Sequence, residues 1–159
     1  MNTTTVLVLA FAIGLIAGLR SMTAPAVVSW AAHLKWLDLE QSQLAFLGST
    51  AAVYILSAGA IVEIIVDKLP KTPRRTEALG LIARLLLGGL SGAALCAAGN
   101  QSIVLGAVLG GVGGLAGAFA GYQARTRLVR AFKVPDLVVA LLEDAVAVGV
   151  GFFIVSRFS

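Results

Sequence analysis

The sequence predicts an all-helical bundle held in a membrane, with about five spans in a single domain over residues 1–159. Three observations carry that prediction. The chain is 58% hydrophobic and 13% charged, with a mean hydropathy of +0.95. A water-soluble domain carries about 25% charged residues, so this chain has too little charge to cover a water-facing surface. The apolar residues fall in runs long enough to cross a bilayer, separated by short polar connections. Finally, Ser102–Arg127, SIVLGAVLGGVGGLAGAFAGYQARTR, is apolar, nearly free of bulk and closed by arginines. So much glycine weakens a helix in water by about 1 kcal/mol per residue, whereas in lipid every backbone group must be satisfied internally and the helix is enforced.

Thr5–Trp30 is the first run. Ala24-Pro25-Ala26 imitates a signal-peptide cleavage site, but MNTTT has no basic side chain and the run is long for a signal peptide. Proline removes a backbone donor, so a break is expected near Arg20–Pro25. Trp30 and Trp36 flank His33 and Lys35 like an aromatic belt at a membrane–water boundary. His33 therefore reads as an interfacial residue, with no second histidine to share a metal. Ala31–Gln43 is a polar connection.

Leu44–Val66 is the second span, with Glu63 and Asp67 on one helical face at its end. Lys68, Lys71, Arg74 and Arg75, with Pro70 and Pro73, form a first basic loop. Ala78–Ala98 is the third span, its small face (Gly80, Gly88, Gly92, Cys96) interrupted by Arg84. Gly99–Gln101 is a tight uncharged turn. Ser102–Ala124 is the fourth span. Gly106, Gly110 and Gly114 make one bare stripe along it, and Gly113, Gly117 and Gly121 another. Bare stripes allow close helix packing, within the chain or across a homodimer. Arg125, Arg127, Arg130 and Lys133 form the second basic loop, and Asp136–Val155 is the fifth span.

The net charge of +4 sits in those two loops, as cytoplasmic loops require, and does not point to nucleic acid. Two crossings separate the loops, so both lie on one side. Five spans then place the N-terminus in the cytoplasm and the C-terminus outside. Ala17–Thr23 resembles Ala120–Thr126, and each lies upstream of a helix with an intramembrane acid, Glu63 or Glu143. With five spans the first and fourth run in opposite directions, so this is a weak inverted repeat of the kind transporters use.

Charges inside lipid cost roughly 2.5–3.5 kcal/mol each on insertion scales and mark functional residues by default. The candidates for a substrate or ion pathway are Arg20, Ser21, Thr23, Glu63, Arg84, Glu143 and Asp144. Arg84 and Glu143 each lie about 10 Å deep at 1.5 Å per residue, so Arg84 is expected to face Glu143 or Asp144. One arginine cannot serve two adjacent carboxylates, and the spare one would tend toward protonation on burial. Arg20 has Ser21, Thr23, exposed carbonyls or Glu63 as candidate partners. The rival reading is that these charges neutralise one another and only fix the bundle.

No cofactor or metal site is expected. Gly110–Gly114 lacks the Lys-Ser/Thr of a phosphate-binding loop, no metal or nucleophile constellation exists, and the single Cys96 can form no internal disulfide. The protein is not expected to be an enzyme.

Gly18-Leu19-Arg20-Ser21-Met22-Thr23, Glu63…Asp67-Lys68-Leu69-Pro70 and Glu143-Asp144-Ala145, in that order, resemble a family of small bacterial inner-membrane proteins catalogued only as a domain of unknown function. The resemblance implies a multi-pass inner-membrane protein and no established activity. The resulting expectation is a small-solute or ion transporter or channel among membrane lipid, as a homo-oligomer. The two arginines make an anionic solute marginally more attractive than a cation. The alternatives are a non-transporting scaffold or assembly factor and, third, a lipid-acting enzyme.

Overall fold

The computed structural model describes residues 1–67, 77–132 and 135–159. These form six α-helices: α1 Thr3–Leu19, α2 Thr23–His33, α3 Thr50–Val66, α4 Ala78–Ala98, α5 Ile103–Phe132 and α6 Asp136–Ser156, with a 3-10 turn at Ala45–Gly48. Three helices are long and apolar enough to cross a membrane, at Ala78–Ala98, Ile103–Ala131 and Leu137–Ser156. Helices α1 and α3 are shorter and equally apolar. The protein is thus a polytopic helix bundle. The first basic loop and Lys133 lie outside the described residues.

The expected first span, Thr5–Trp30, is two helices. Arg20 is extended, at φ −140° and ψ 107°, and its N–H closes α1 on Ile16 O at 2.8 Å. Pro25 sits inside the first turn of α2, where its missing donor costs nothing. The break reverses the chain. Val6, near the start of α1, lies against Gly99, and the connection after α2 comes back to the same end, where Asp38 and Gln41 share a cavity with Ala98 and Gln101.

Helices α1, α3 and α5 therefore run one way and α2, α4 and α6 the other. Met1 and Ser159 line one cavity, so the termini share an end, which corrects the expectation of opposite sides. It also corrects the inverted repeat. Phe11 O faces Gly113 and Leu15 O faces Gly117, so α1 and α5 are parallel.

Caps confirm the local reading. Asn2 Oδ1 accepts from Thr5 N at 2.8 Å and Ser49 Oγ from Ala52 N at 3.1 Å, satisfying donors that a helix start leaves open. Helices α2 and α4 end alike. Lys35 (φ 63°) and Asn100 (φ 54°) are left-handed, with Trp36 N bonding Ala31 O and Gln101 N bonding Cys96 O. Both are Schellman closures.

Helices α1, α4 and α5 approach one another through glycines. Gly88 and Gly92 of α4 meet Gly110 and Gly106 of α5, and Gly114 meets Arg84 O. The second stripe serves another helix: Gly113 and Gly117 lie on Phe11 O and Leu15 O of α1, and Gly14 and Gly18 lie on Gly110, Gly114 and Gly117. An added Cβ at any of these positions would overlap neighbouring backbone, which cannot move aside. Gly106, Gly110, Gly113, Gly114 and Gly117 of the two stripes thus face neighbours within the chain. Helix α2 lies against α3, α4 and α6, while α3 has its outer side open, exposing Tyr54, Ile55, Ile61 and Ile65. An apolar outer surface of this kind suits lipid and would be anomalous in water.

Candidate functional site

The charged residues meet where α1 breaks. Arg20 is 0% exposed and is the largest fully buried side chain among the described residues. Its Nη1 pairs with Asp67 Oδ2 at the end of α3. Its Nη2 lies 2.6 Å from Asp144 Oδ1 of α6, in contact as charges but off the axis that a hydrogen bond needs. Asp144 is roughly 12 Å along α6 from its start at 1.5 Å per residue, so the pair sits well inside the bundle.

Glu63 closes the break from the opposite helix. Its Oε1 accepts from Ser21 N at 2.8 Å and Ser21 Oγ at 2.5 Å, and its Oε2 accepts from Met22 N at 2.9 Å. Helix α2 has no capping side chain of its own, so a carboxylate one turn before Asp67 supplies the cap and meets the positive end of the helix dipole. Gly59, a turn earlier on α3, leaves room for Met22. Among the described residues, four buried polar atoms here have no hydrogen-bond partner: Arg20 Nε and Thr23 Oγ1, besides the Arg20 Nη2 and Asp144 Oδ1 atoms of the ion pair.

The structure brings together Arg20, Ser21, Thr23, Glu63 and Asp144, and adds Asp67, which sequence reading had placed at the membrane edge. The signal for Asp67 was present: it shares a helical face with Glu63, so a partner for one is within reach of the other.

The expected pairing of Arg84 with Glu143 or Asp144 is corrected. Arg84, 5% exposed, donates from Nε to Gly18 O at 3.0 Å and from Nη1 to Gly80 O at 2.9 Å. It closes the carbonyl end of α1. Asp144 goes to Arg20, and Glu143 Oε2 lies 3.9 Å from Arg125 Nη1. The adjacent acids point to different arginines, as their roughly 100° separation requires, so neither is left without a counter-charge. Arg125 and Glu143 also border a cavity of about 440 Å³ between α5 and α6, walled by Leu128, Val139, Leu142 and Val146.

His33 Nδ1 lies 3.0 Å from Gly48 O and its ring meets Trp30 edge-on, with centroids 6.4 Å apart. It ties α2 to the 3-10 turn at the end far from the charges. No cluster of three or more metal-ligating side chains exists among the described residues.

A model of the family described as a domain of unknown function (DUF4126) matches residues 7–156, and the chain belongs to that family. Neither a curated protein nor a solved structure matches it.

Proposed function

We propose that the protein is a transporter or channel for a small cation or protons, with Arg20 and its carboxylates as the working site. One observation carries the reading: a guanidinium buried at a helix break is held between carboxylates of two other helices, Asp67 and Asp144. Charges at such depth are costly and mark ion pathways, and broken helices at that depth are how transporters build sites. Arg20 is covered by acids on both sides, so it is not offered to an anion. That reverses the sequence-based preference. A cation or proton competing with Arg20 for Asp67 or Asp144 would free one carboxylate and loosen α3 or α6.

By the basic residues at the Arg125–Arg130 end of α5, that end faces the cytoplasm. Both termini then face outward across a bacterial inner membrane. A homo-oligomer has to use outer faces, since the glycine stripes are occupied. The reading is of transport and not of catalysis.

Purified protein in liposomes should pass sodium, potassium or protons above the rate of empty vesicles. Asp144→Asn should abolish that flux while circular dichroism and elution volume stay unchanged. Folded wild-type protein passing none of these ions would overturn the reading. It would favour the scaffold alternative, which the saturation of Glu63 by three donors supports.

A further inference from the structure

We propose that Asp67 is the carboxylate that takes up the ion, a single positive charge at a time, while Asp144 stays in place as the standing counter-ion of Arg20. The assignment deepens the transport reading and rests on it only for the statement that an ion is carried.

Charge sets the number. Arg20 lies between Asp67 and Asp144, so these three groups carry one positive charge and two negative ones. Glu63 stands apart from that sum, because its oxygens already accept from Ser21 N, Ser21 Oγ and Met22 N at the positive end of α2. One added positive charge leaves a matched pair behind. A second would leave a buried guanidinium uncompensated, which is what makes breaking a buried pair costly. The site therefore suits a proton or one monovalent cation and not a divalent ion.

Position sets which acid. Asp67 is the C-cap of α3, so its carboxylate lies at the negative end of that helix, where the dipole opposes its charge. Asp144 lies more than two turns inside α6, and the dipole acts only within the first and last turns. Movement points the same way. Helix ends fray, so Asp67 can leave Arg20 by opening one turn, which is closed by the bond from Asp67 N to Glu63 O at 2.9 Å. Glu63, held by its three donors, is the fixed point of that turn. Asp144 has helix on both sides and moves only with α6, which packs against α1, α2 and α5, whereas α3 packs mainly against α2 and the 3-10 turn. When the ion is a proton, it adds to Asp67 Oδ2, the hydrogen bond from Arg20 Nη1 is given up, and the guanidinium keeps Asp144.

The test uses dicyclohexylcarbodiimide, an apolar reagent that couples to carboxyls in their protonated form. The protein in liposomes is treated across a pH series, and peptide mass spectrometry locates the adduct. Modification should rise as the pH falls and should favour Asp67 over Asp144 several-fold. Asp67→Asn should remove the adduct without moving it to Asp144, since the remaining pair is already matched. Sodium or potassium added at constant pH protects Asp67 if a metal cation shares the site and has no effect if the proton alone does. Amide hydrogen exchange gives a second readout. Asp67→Asn stands in for the loaded acid, so residues 64–67 should exchange several-fold faster while α6 around Asp144 exchanges as in wild type. Circular dichroism and elution volume establish that the variant is folded.

An adduct that forms on Asp144 as fast as on Asp67, or on neither at any pH, overturns the assignment. So does faster exchange in α6 in place of the last turn of α3. Wild-type liposomes that pass no ion while Asp67 alone is modified would remove the transport reading and leave Asp67 as the exchangeable acid. Ion flux with the adduct on Asp144 would do the reverse.

Discussion

The two halves of the bundle are held by opposite means. Helices α1, α4 and α5 meet through bare backbone at their glycines, with mostly small side chains such as Ala10, Ala17, Ala94 and Cys96 beside them. Helices α2 and α6 lie on that core through branched apolar side chains such as Val27, Val28, Ile154 and Val155, and the charged groups Arg20, Glu63, Asp67 and Asp144 tie α3 and α6 to the break after α1. Lipid explains the division. Where tails are as apolar as leucine, apolar burial drives nothing, and helices associate by close packing or by polar bonds. The glycine half has many contacts that admit no alternative geometry. The charged half has few, and on the proposed reading each is a place where a proton or a cation can compete. A rigid frame carrying an exchangeable lock is what that reading makes of the contrast.

Breaking the frame should have the largest effect. Gly110→Leu places a side chain into the backbone of α4 at Gly88 and Gly92. Overpacking costs about 1–3 kcal/mol where neighbours can shift, and backbone cannot. Purified Gly110→Leu is expected to aggregate or elute without a defined size. Gly149→Ala is the matching control. Nothing lies within 4 Å of an added Cβ there, so its melting temperature should equal or slightly exceed that of wild type.

Opening the lock comes next. Arg20→Met leaves Asp67 and Asp144 without their shared cation, and breaking a buried pair from one side costs about 3–5 kcal/mol. Thermal unfolding in detergent should show that loss. The triple change Arg20→Met, Asp67→Asn, Asp144→Asn should recover part of it, because the carboxylates that faced Arg20 are then neutral amides. Glu63→Ala should cost less, about 1–3 kcal/mol, the desolvation of the donors at Ser21 and Met22.

Much of this contrast was legible in the sequence. The bounds Ala78–Ala98 and the two glycine stripes follow from spacing alone, because a four-residue repeat fixes one face of a helix. The position of the break followed from Arg20–Pro25. What escaped was direction. A break that bends a helix and one that reverses it need the same residues, and reversal moved the N-terminus to the other end and made α1 parallel to α5. The pairing of Arg84 failed for a related reason. Depth along a helix can be counted from sequence, but facing cannot, and α1 and α2 stand between α4 and α6.

The smallest effects belong to the surface at the end far from the charges. Lys35 occupies a left-handed position at φ 63°, which costs a residue with a Cβ roughly 1 kcal/mol. Lys35→Gly should therefore raise stability by about that amount. The ion pair it gives up with Glu40 is fully exposed and contributes little. The hydrogen bond that Lys35 donates to the Glu40 carboxylate raises the Lys35 pKa above its ordinary 10.5. Whatever the pair contributes is fully present below that value and is lost as the pH climbs through the raised one. A melting-temperature profile should therefore put Lys35→Met slightly below wild type near neutrality, with the two meeting above the raised value.

The most direct measurement is a double-mutant cycle on Arg20 and Asp144, read as unfolding free energy in detergent. Arg20→Met and Asp144→Leu should each destabilise the protein, and the double variant should lie well above their sum, with a coupling beyond about 1 kcal/mol. Simple additivity of the two losses would mean that these residues, 2.6 Å apart, do not hold α1 and α6 together, and the exchangeable lock would have to be given up.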